Sequence, residues 1–292
     1  MANPNARQAA AARRAEALGA RLPPLLVAAE RIAATVAQGV HGRRRVGQGD
    51  SFWQFRPFVQ GDPATRIDWR QSAKSDRAFV RETEWEAAQT VVLWRDASAS
   101  MRWRSRLSPA DKRERAELLL LALAALLLRG GERVALLGGE RAVSSRAGLD
   151  GLAETLAREP ADGPGLPPRG PLPRHAKVVL IGDFLAPLDQ IQAVVASYAA
   201  IPVSGHLLQV LDPAEESLPY SGRVRFHGLE HEADTLVPRV ESVREDYALR
   251  LAQHRQGLGA IATAAGFSFA MHRTDHTPEA ALLGLYTALG VR

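Results

Sequence analysis

The chain contains no cysteine, few aromatic residues (6%) and very little lysine, since arginine outnumbers lysine 34 to 3 in 292 residues. The missing cysteine excludes disulfides, thiolate metal sites and cysteine nucleophiles, and suits a reducing compartment. No stretch reaches the roughly 18–20 apolar residues of a membrane-spanning helix. The longest apolar run, Leu118 to Leu128, covers 11 residues between Glu117 and Arg129 and reads as a buried core helix. The amino-terminal stretch has Arg7, Arg13 and Arg14 among alanines but no apolar segment of signal-peptide type. A helical arm is expected there, with an organellar transit peptide as the alternative, and the cytoplasm is the expected location. A G-x-S-x-G elbow, a phosphate-binding P-loop, a glycine-rich dinucleotide fingerprint and an internal repeat are all missing from the sequence.

What is present is a composition ordinary for a globular protein, with length enough for a sizeable core. The net charge of +5 is unevenly placed. Residues 1–90 carry 14 Lys or Arg against 9 Asp or Glu, and residues 91–292 carry 23 of each. The densest point is Arg43-Arg44-Arg45, which could meet nucleic acid, anionic lipid or an acidic partner. No interleaved aromatic binding motif accompanies it.

Three regions follow from texture. Residues 1–41 form a helical arm, broken at Pro23-Pro24, with a helix from about Leu25 to Gln38. Residues 42–88 form a β-rich module, in which Gly61-Asp62-Pro63 marks a turn and Arg66-Ile67-Asp68-Trp69 alternates like a half-buried strand. Residues 89–292 alternate strand and helix patterns, so a doubly wound α/β domain with a mainly parallel sheet is expected. Its helices are placed at Pro109 to Arg129, Leu149 to Arg158, Leu188 to Ala199, Val240 to Ala265 and Pro278 to Leu289. A short return strand is expected near Ala142-Val143, a Pro- and Gly-rich surface loop over 159–175, and a hairpin near 218–228.

The pivotal stretch is Val91-Val92-Leu93-Trp94-Arg95-Asp96-Ala97-Ser98-Ala99-Ser100. A strand ending in Asp-x-Ser-x-Ser before a helix sets one carboxylate and two hydroxyls at the carboxyl edge of a parallel sheet, where open α/β folds carry their sites. Such hard oxygen donors suit Mg²⁺. The motif resembles the metal-ion-dependent adhesion site of von Willebrand factor A domains. That resemblance implies a metal set of Asp96, Ser98, Ser100 and, from a neighbouring strand end, Asp183 in Ile181-Gly182-Asp183. It also implies a middle-loop threonine, for which the chain offers only Ser144 and Ser145. Two facing carboxylates repel, so a divalent ion or an arginine such as Arg95 or Arg102 is expected to relieve them. A weak Mg²⁺ site, or a vestigial one, follows.

The stretch from Phe55 to Lys74 resembles the R-x-Y-x-x-G-D-x-x-R-x-I-D-W-x-x-S-A signature of a bacterial family known as domain of unknown function 58. Arg56, Gly61, Asp62, Arg66, Ile67, Asp68, Trp69, Ser72 and Ala73 fill it, with Phe58 in the tyrosine place. Asp212-Pro213-Ala214-Glu215 through Leu218-Pro219 resembles a second family segment. The resemblance covers about residues 40–292. It implies a von Willebrand factor A-like domain and a AAA+ ATPase partner of MoxR type.

The leading expectation is therefore a non-enzymatic adaptor acting with that ATPase on other proteins, with no catalytic residue. One alternative is a hydrolase in which Asp96 and Asp183 hold a metal that activates water. The other is a nucleic-acid binder using Arg43 to Arg45. His227-x-x-Glu230-His231 matches a zinc-protease pattern formally, but its strand-like, glycine-containing context fits a polar hairpin tip instead. Asp62 and Asp68 are expected to pair with Arg56 and Arg66 around a turn.

Overall fold

Clusters of branched and aromatic residues, separated by turn-forming Gly, Pro and Asp, divide the chain into two compact units, residues 39–88 and residues 1–38 with 89–292. The computed structural model describes residues 24–38, 52–59, 62, 64–75, 77–83, 88–139, 141–160, 162–230 and 232–290. Arg43 to Arg45, Gly61 and His231 lie outside the described residues, as do the side chains of Arg56 and Arg66, so the pairing expected for those two arginines is not described.

In the smaller unit, β1 (Phe52–Pro57) pairs antiparallel with β2 (Phe79–Thr83), and Arg56 stands opposite Val80. The strand expected at Arg66-Ile67-Asp68-Trp69 is corrected. A 3₁₀ turn, Ala64–Arg66, leads into a short helix, Trp69–Ser72, and Ile67 keeps a single bridge to Val80. Capping overrides the alternation. Asp68 accepts the Gln71 amide at 2.9 Å, and Ser72 Oγ donates to the Asp68 carbonyl while accepting the Phe79 amide at 2.8 Å. Asp62 accepts the Val59 amide at 2.9 Å. The two signature carboxylates thus hold turns. The short helix counts as α2, after the helix over 24–38, which is α1.

In the larger unit, α1 buries Ala29, Ile32, Ala33 and Val36, an i, i+3, i+4, i+7 stripe that gives it a core-facing side. The sheet is built from β3 (Thr90–Arg95), β4 (Arg133–Leu136), β5 (Lys177–Gly182), β6 (Ser204–Leu211) and β9 (Phe267–Arg273). All neighbours are parallel, in the order β4-β3-β5-β6-β9. The return strand near Ala142-Val143 shrinks to one antiparallel bridge between Val134 and Val143. Elsewhere β7 (Val224–Phe226) and β8 (Thr235–Val237) form a separate two-stranded ribbon, longer than the hairpin expected near 218–228.

The long helices are α3 (Lys112–Arg129), α4 (Ala147–Arg158), α5 (Leu188–Ala199), α7 (Arg244–Ala264) and α8 (Pro278–Ala288), with a short α6 (Pro213–Ser217) after β6. Helix α3 starts three residues later than its apolar pattern suggested, because Asp111 caps it by accepting the Glu114 amide at 2.7 Å. Helix α7 starts after a 3₁₀ turn, Val240–Ser242.

Both faces of the sheet are covered, which explains why its strands read as continuous apolar runs. On one face Val92 and Trp94 pack with Val178, Leu180, Ile191, Tyr198 and Leu258 beneath α5 and α7. The alternate residues Val91 and Leu93 are equally buried and point to the opposite face. Helix α3 lies against β3, β4, α4 and α8, so Leu119 to Leu127 are buried all round. Among the described residues no helix is long and apolar enough to cross a membrane.

Because Leu123 is fully buried in α3, Leu123→Ala is expected to cost about 2–5 kcal/mol through lost transfer energy and a cavity. Urea unfolding would measure it; a loss below about 1 kcal/mol would show that α3 is not the central packing element.

Candidate functional site at the carboxyl edge of the sheet

The strand order reverses at β3. The chain leaves it on one side toward β4 and later returns on its other side as β5, so the loops after β3 and β5 diverge and leave a crevice at their carboxyl ends. The first residues past those two strands are Asp96 and Asp183. Asp96 extends the ladder by donating its amide to the Ile181 carbonyl at 2.8 Å. A side chain at Gly182 would place its Cβ 2.9 Å from Asp96 Cβ and 3.2 Å from Oδ2, so glycine is what lets the two strand ends carry facing carboxylates.

The four residues expected from the sequence come together. Asp96 Oδ1 accepts the Ser98 amide at 2.8 Å, the Ser98 and Ser100 hydroxyls lie 3.1 Å apart, and Ser100 Oγ donates to Asp183 Oδ2 at 2.7 Å. Asp96, Ser98 and Asp183 are buried. Asp96 Oδ2 is buried with no hydrogen-bond partner. Burial first, and Asp183 second, push the Asp96 carboxyl up to about 7.

The cation that balances Asp183 is a residue the sequence did not single out. Lys112, the first residue of α3, is fully buried and donates to Asp183 Oδ2 at 3.0 Å and to Glu215 Oε1 at 2.5 Å. Burial opposes its charge, but the two carboxylates outweigh burial and hold it protonated, above its ordinary value. The expectation that Arg95 or Arg102 would do this is corrected. Arg102 is exposed. Arg95 turns away beneath the sheet edge, reaching Glu117 and Glu159 at 3.1 Å and the Leu156 carbonyl at 3.0 Å.

Glu215 arrives through local capping. In Asp212-Pro213-Ala214-Glu215 the aspartate caps α6, proline takes its first turn, and Glu215 Oε2 accepts the Asp212 amide at 2.8 Å. The other oxygen of Glu215 is thereby presented to Lys112. This capping box is the signal that could have located Glu215 in advance. Lys112 carried a weaker one, because a cation in the first turn of a helix opposes the helix dipole and needs a compensating anion.

The surrounding loops are tightly set. Phe184 has φ +49°, a conformation costly for a non-glycine residue, and His254 Nε2 donates to its carbonyl at 2.6 Å. Gln209 Nε2 donates to the Asp183 carbonyl at 2.9 Å. The Pro- and Gly-rich loop forms a wall, with the Gly163 amide donating to the Ala97 carbonyl at 3.2 Å. Ser144 and Ser145 do not approach. Val143 has run back to pair with Val134, away from the carboxyl end of β4, and both serines are exposed beyond it. Over the site stands Glu230 of the loop between β7 and β8, whose Oε1 accepts the Ser100 amide at 3.2 Å. His227 pairs with Asp234 at 2.8 Å, and among the described residues of that loop none is helical, so His227 and Glu230 do not share the helical face a zinc protease requires.

The model of the family described as protein of unknown function DUF58 matches residues 54–257. The chain belongs to this family. It is 26% identical over 260 residues to uncharacterised proteins of Mycobacterium bovis and Mycobacterium tuberculosis, covering 82% of this DUF58 chain and 80% of theirs. Two solved structures also align. One is the conserved hypothetical protein BatB from Bacteroides thetaiotaomicron, at 13% identity, a TM-score of 0.38, and coverage of 70% of this chain and 98% of that one. The other is an aerotolerance-related membrane protein from Bacteroides fragilis, at 12% identity, a TM-score of 0.38, and coverage of 70% and 100%. Both are likenesses too distant to define the fold.

Chemically, two carboxylates and two hydroxyls converge at the edge, and one buried carboxylate oxygen lacks a partner. This donor set fits a hard divalent cation with water completing its shell. Among the described residues no three His, Asp or Glu side chains are grouped closely enough to hold an ion by themselves.

Two outcomes follow from the electrostatics. Lys112→Met leaves Asp183 and Glu215 without their cation and is expected to cost about 3–5 kcal/mol at pH 7, with the deficit shrinking in acid as carboxyls protonate. A loss under about 1 kcal/mol at neutral pH would refute the buried pairing. Asp96 takes up its proton more readily folded than unfolded, so its contribution to stability is complete below its unfolded value near 4 and is lost as pH rises toward 7. The melting temperature of wild type, relative to Asp96→Asn, should therefore fall between pH 4 and 7; a constant difference would contradict the raised value.

Proposed function

We propose that this DUF58 chain is a non-enzymatic adaptor. In this reading residues 89–292 form a von Willebrand factor A-like domain that presents the Asp96 edge to a protein partner, residues 42–88 form a module beside it in sequence, and residues 1–41 form a helical arm. The observation that carries the reading is the convergence of Asp96, Ser98, Ser100 and Asp183 at the strand-order reversal, with Asp96 Oδ2 buried and unpartnered. Asp96, Ser98, Ser100 and Asp183 would hold Mg²⁺ weakly. The ion would supply a Lewis-acidic contact for a partner's carboxylate, while the chain's own residues fix the donors. Lys112 holds Asp183 in place, and Gly182 keeps the carboxylates close. The partner implied by the family resemblance is a MoxR-type AAA+ ATPase, with which the chain would act in the cytoplasm to assemble or activate other proteins.

One observation favours the hydrolase alternative. Asp96 and Asp183 meet closely at two neighbouring strand ends, with only glycine admitted between them at position 182, and in that reading these carboxylates hold the water-activating metal. A panel of phosphoester and peptide substrates with Mg²⁺ or Mn²⁺ separates the two readings, because only the hydrolase predicts turnover that Asp96→Ala abolishes.

The adaptor reading is tested by calorimetry with millimolar Mg²⁺ and Mn²⁺ and by capture of the ATPase. Cation binding should raise the melting temperature, and Asp96→Ala should weaken the complex about tenfold, roughly 1.4 kcal/mol, while the chain stays folded. A complex undiminished in EDTA and unaffected by Asp96→Ala would sink it.

A further inference from the structure

The β7–β8 ribbon has no part in the sheet, yet its connecting loop returns to the candidate site. Glu230 lies 130 residues from Ser100 in sequence, and its Oε1 accepts the Ser100 amide at 3.2 Å. Its other oxygen faces the wall, 3.8 Å from where a Gly165 Cβ would stand, and Ser98 Oγ is 3.7 Å from that same point. Glu230 therefore reaches the Asp-x-Ser-x-Ser loop at the Ser100 amide, and its free oxygen and the Ser98 hydroxyl both border the same point of the Pro- and Gly-rich wall. Beneath it, Asp96 Oδ2 is 99% buried with its residue and has no partner.

The ribbon that carries Glu230 is weakly built. Each strand has three residues, most side chains are exposed or half-buried, and an isolated two-stranded ribbon is marginal in water. Its loop is held by the exposed His227–Asp234 pair, by the Glu230 amide donating to Glu232 Oε2 at 2.8 Å and by the contact to Ser100. Its base is pinned at Gly222, whose amide donates to Glu241 Oε1 at 2.9 Å and whose carbonyl accepts the Val240 amide at 3.0 Å. A ribbon fixed at its base and loosely held at its tip can adjust the tip without disturbing the sheet.

We infer that Glu230 is a further ligand of the cation site, closing over Asp96, Ser98, Ser100 and Asp183 as a third carboxylate in place of a middle-loop hydroxyl. The inference rests on the reading of the Asp96 edge as a divalent-cation site. Glu230, Asp96 and Asp183 are not close enough to form a metal cluster as they stand. Closure of the loop therefore accompanies binding, and the ion links the ribbon to the sheet. Glu230 exchanges its hydrogen bond with the Ser100 amide for a charged contact, and local opening of the ribbon is suppressed as a consequence.

The experiment uses the full chain with Mn²⁺ as probe. Electron paramagnetic resonance titration reads affinity, and amide hydrogen exchange over residues 222–239 reads the ribbon. Wild type should bind Mn²⁺ and slow ribbon exchange by at least tenfold. Glu230→Gln should weaken binding by about tenfold and abolish the ribbon protection. Asp234→Asn, which loosens the loop without removing the carboxylate at the site, should keep most of the affinity. If Glu230→Gln binds as tightly as wild type, or more tightly, or keeps its ribbon protection, Glu230 is no ligand, and the cation reading of Asp96 survives without it. If wild type binds no Mn²⁺ at all, both fall together.

Discussion

The fold of the larger unit is organised around one buried ammonium. Lys112 Nζ lies between Asp183, at the end of β5, and Glu215, in the first turn of α6, and so ties the start of α3 to two loops far apart in sequence. Taking these ions out of water costs several kcal/mol each, and only close contacts with good hydrogen bonding offset that. The offset is found here because each carboxylate is itself oriented. Asp183 accepts from Ser100 as well as Lys112, and Glu215 is held by the amide of its own helix cap. Remove the lysine and the edge has two close carboxylates, one buried and one half-buried, with nothing between them; remove either and the lysine has lost half its reason to be inside.

Much of this was readable from the chain. Two-sided burial makes Val91 to Trp94 and Lys177 to Ile181 continuous apolar runs, and such runs ending in Asp located both carboxylates. Helix α3 is legible from its length of apolar sequence, but its start is set by the Asp111 cap, three residues inside the expected bound at Pro109. Lys112 was hidden because a lysine next to an aspartate cap looks like an ordinary solvated charge, and only the third dimension shows that it points inward. Glu230 was hidden for a different reason. Its partner is 130 residues away, and no periodicity links a ribbon tip to a strand end.

The family signature teaches a separate lesson. Its two aspartates, expected to serve a turn, do so through the backbone, Asp62 accepting the Val59 amide and Asp68 the Gln71 amide in α2. Ser72 then joins that helix to β2 through the Phe79 amide. An alternating stretch such as Arg66 to Trp69 satisfies a strand pattern over four residues, but four residues are too few for periodicity to outweigh a carboxylate placed to cap a helix. The spacing of such a motif can be set by turn geometry as naturally as by a binding role.

The contrast between floor and roof bears on what the site can do. The floor is rigid: it sits on fully buried strands, with Gly182 admitting the close approach and Phe184 held in a strained conformation by its neighbours. The roof, the β7–β8 ribbon, is attached by a few exposed contacts. A rigid set of oxygen donors beneath a yielding acidic loop favours recognition that is switched by what enters from outside, since the floor supplies geometry and the loop supplies the change of state. A metal-dependent hydrolase would need instead a roof that holds a substrate against a metal-bound water. In the proposed adaptor role the ribbon, with three-residue strands whose side chains are exposed or half-buried, is the part left free to adjust when the edge is engaged.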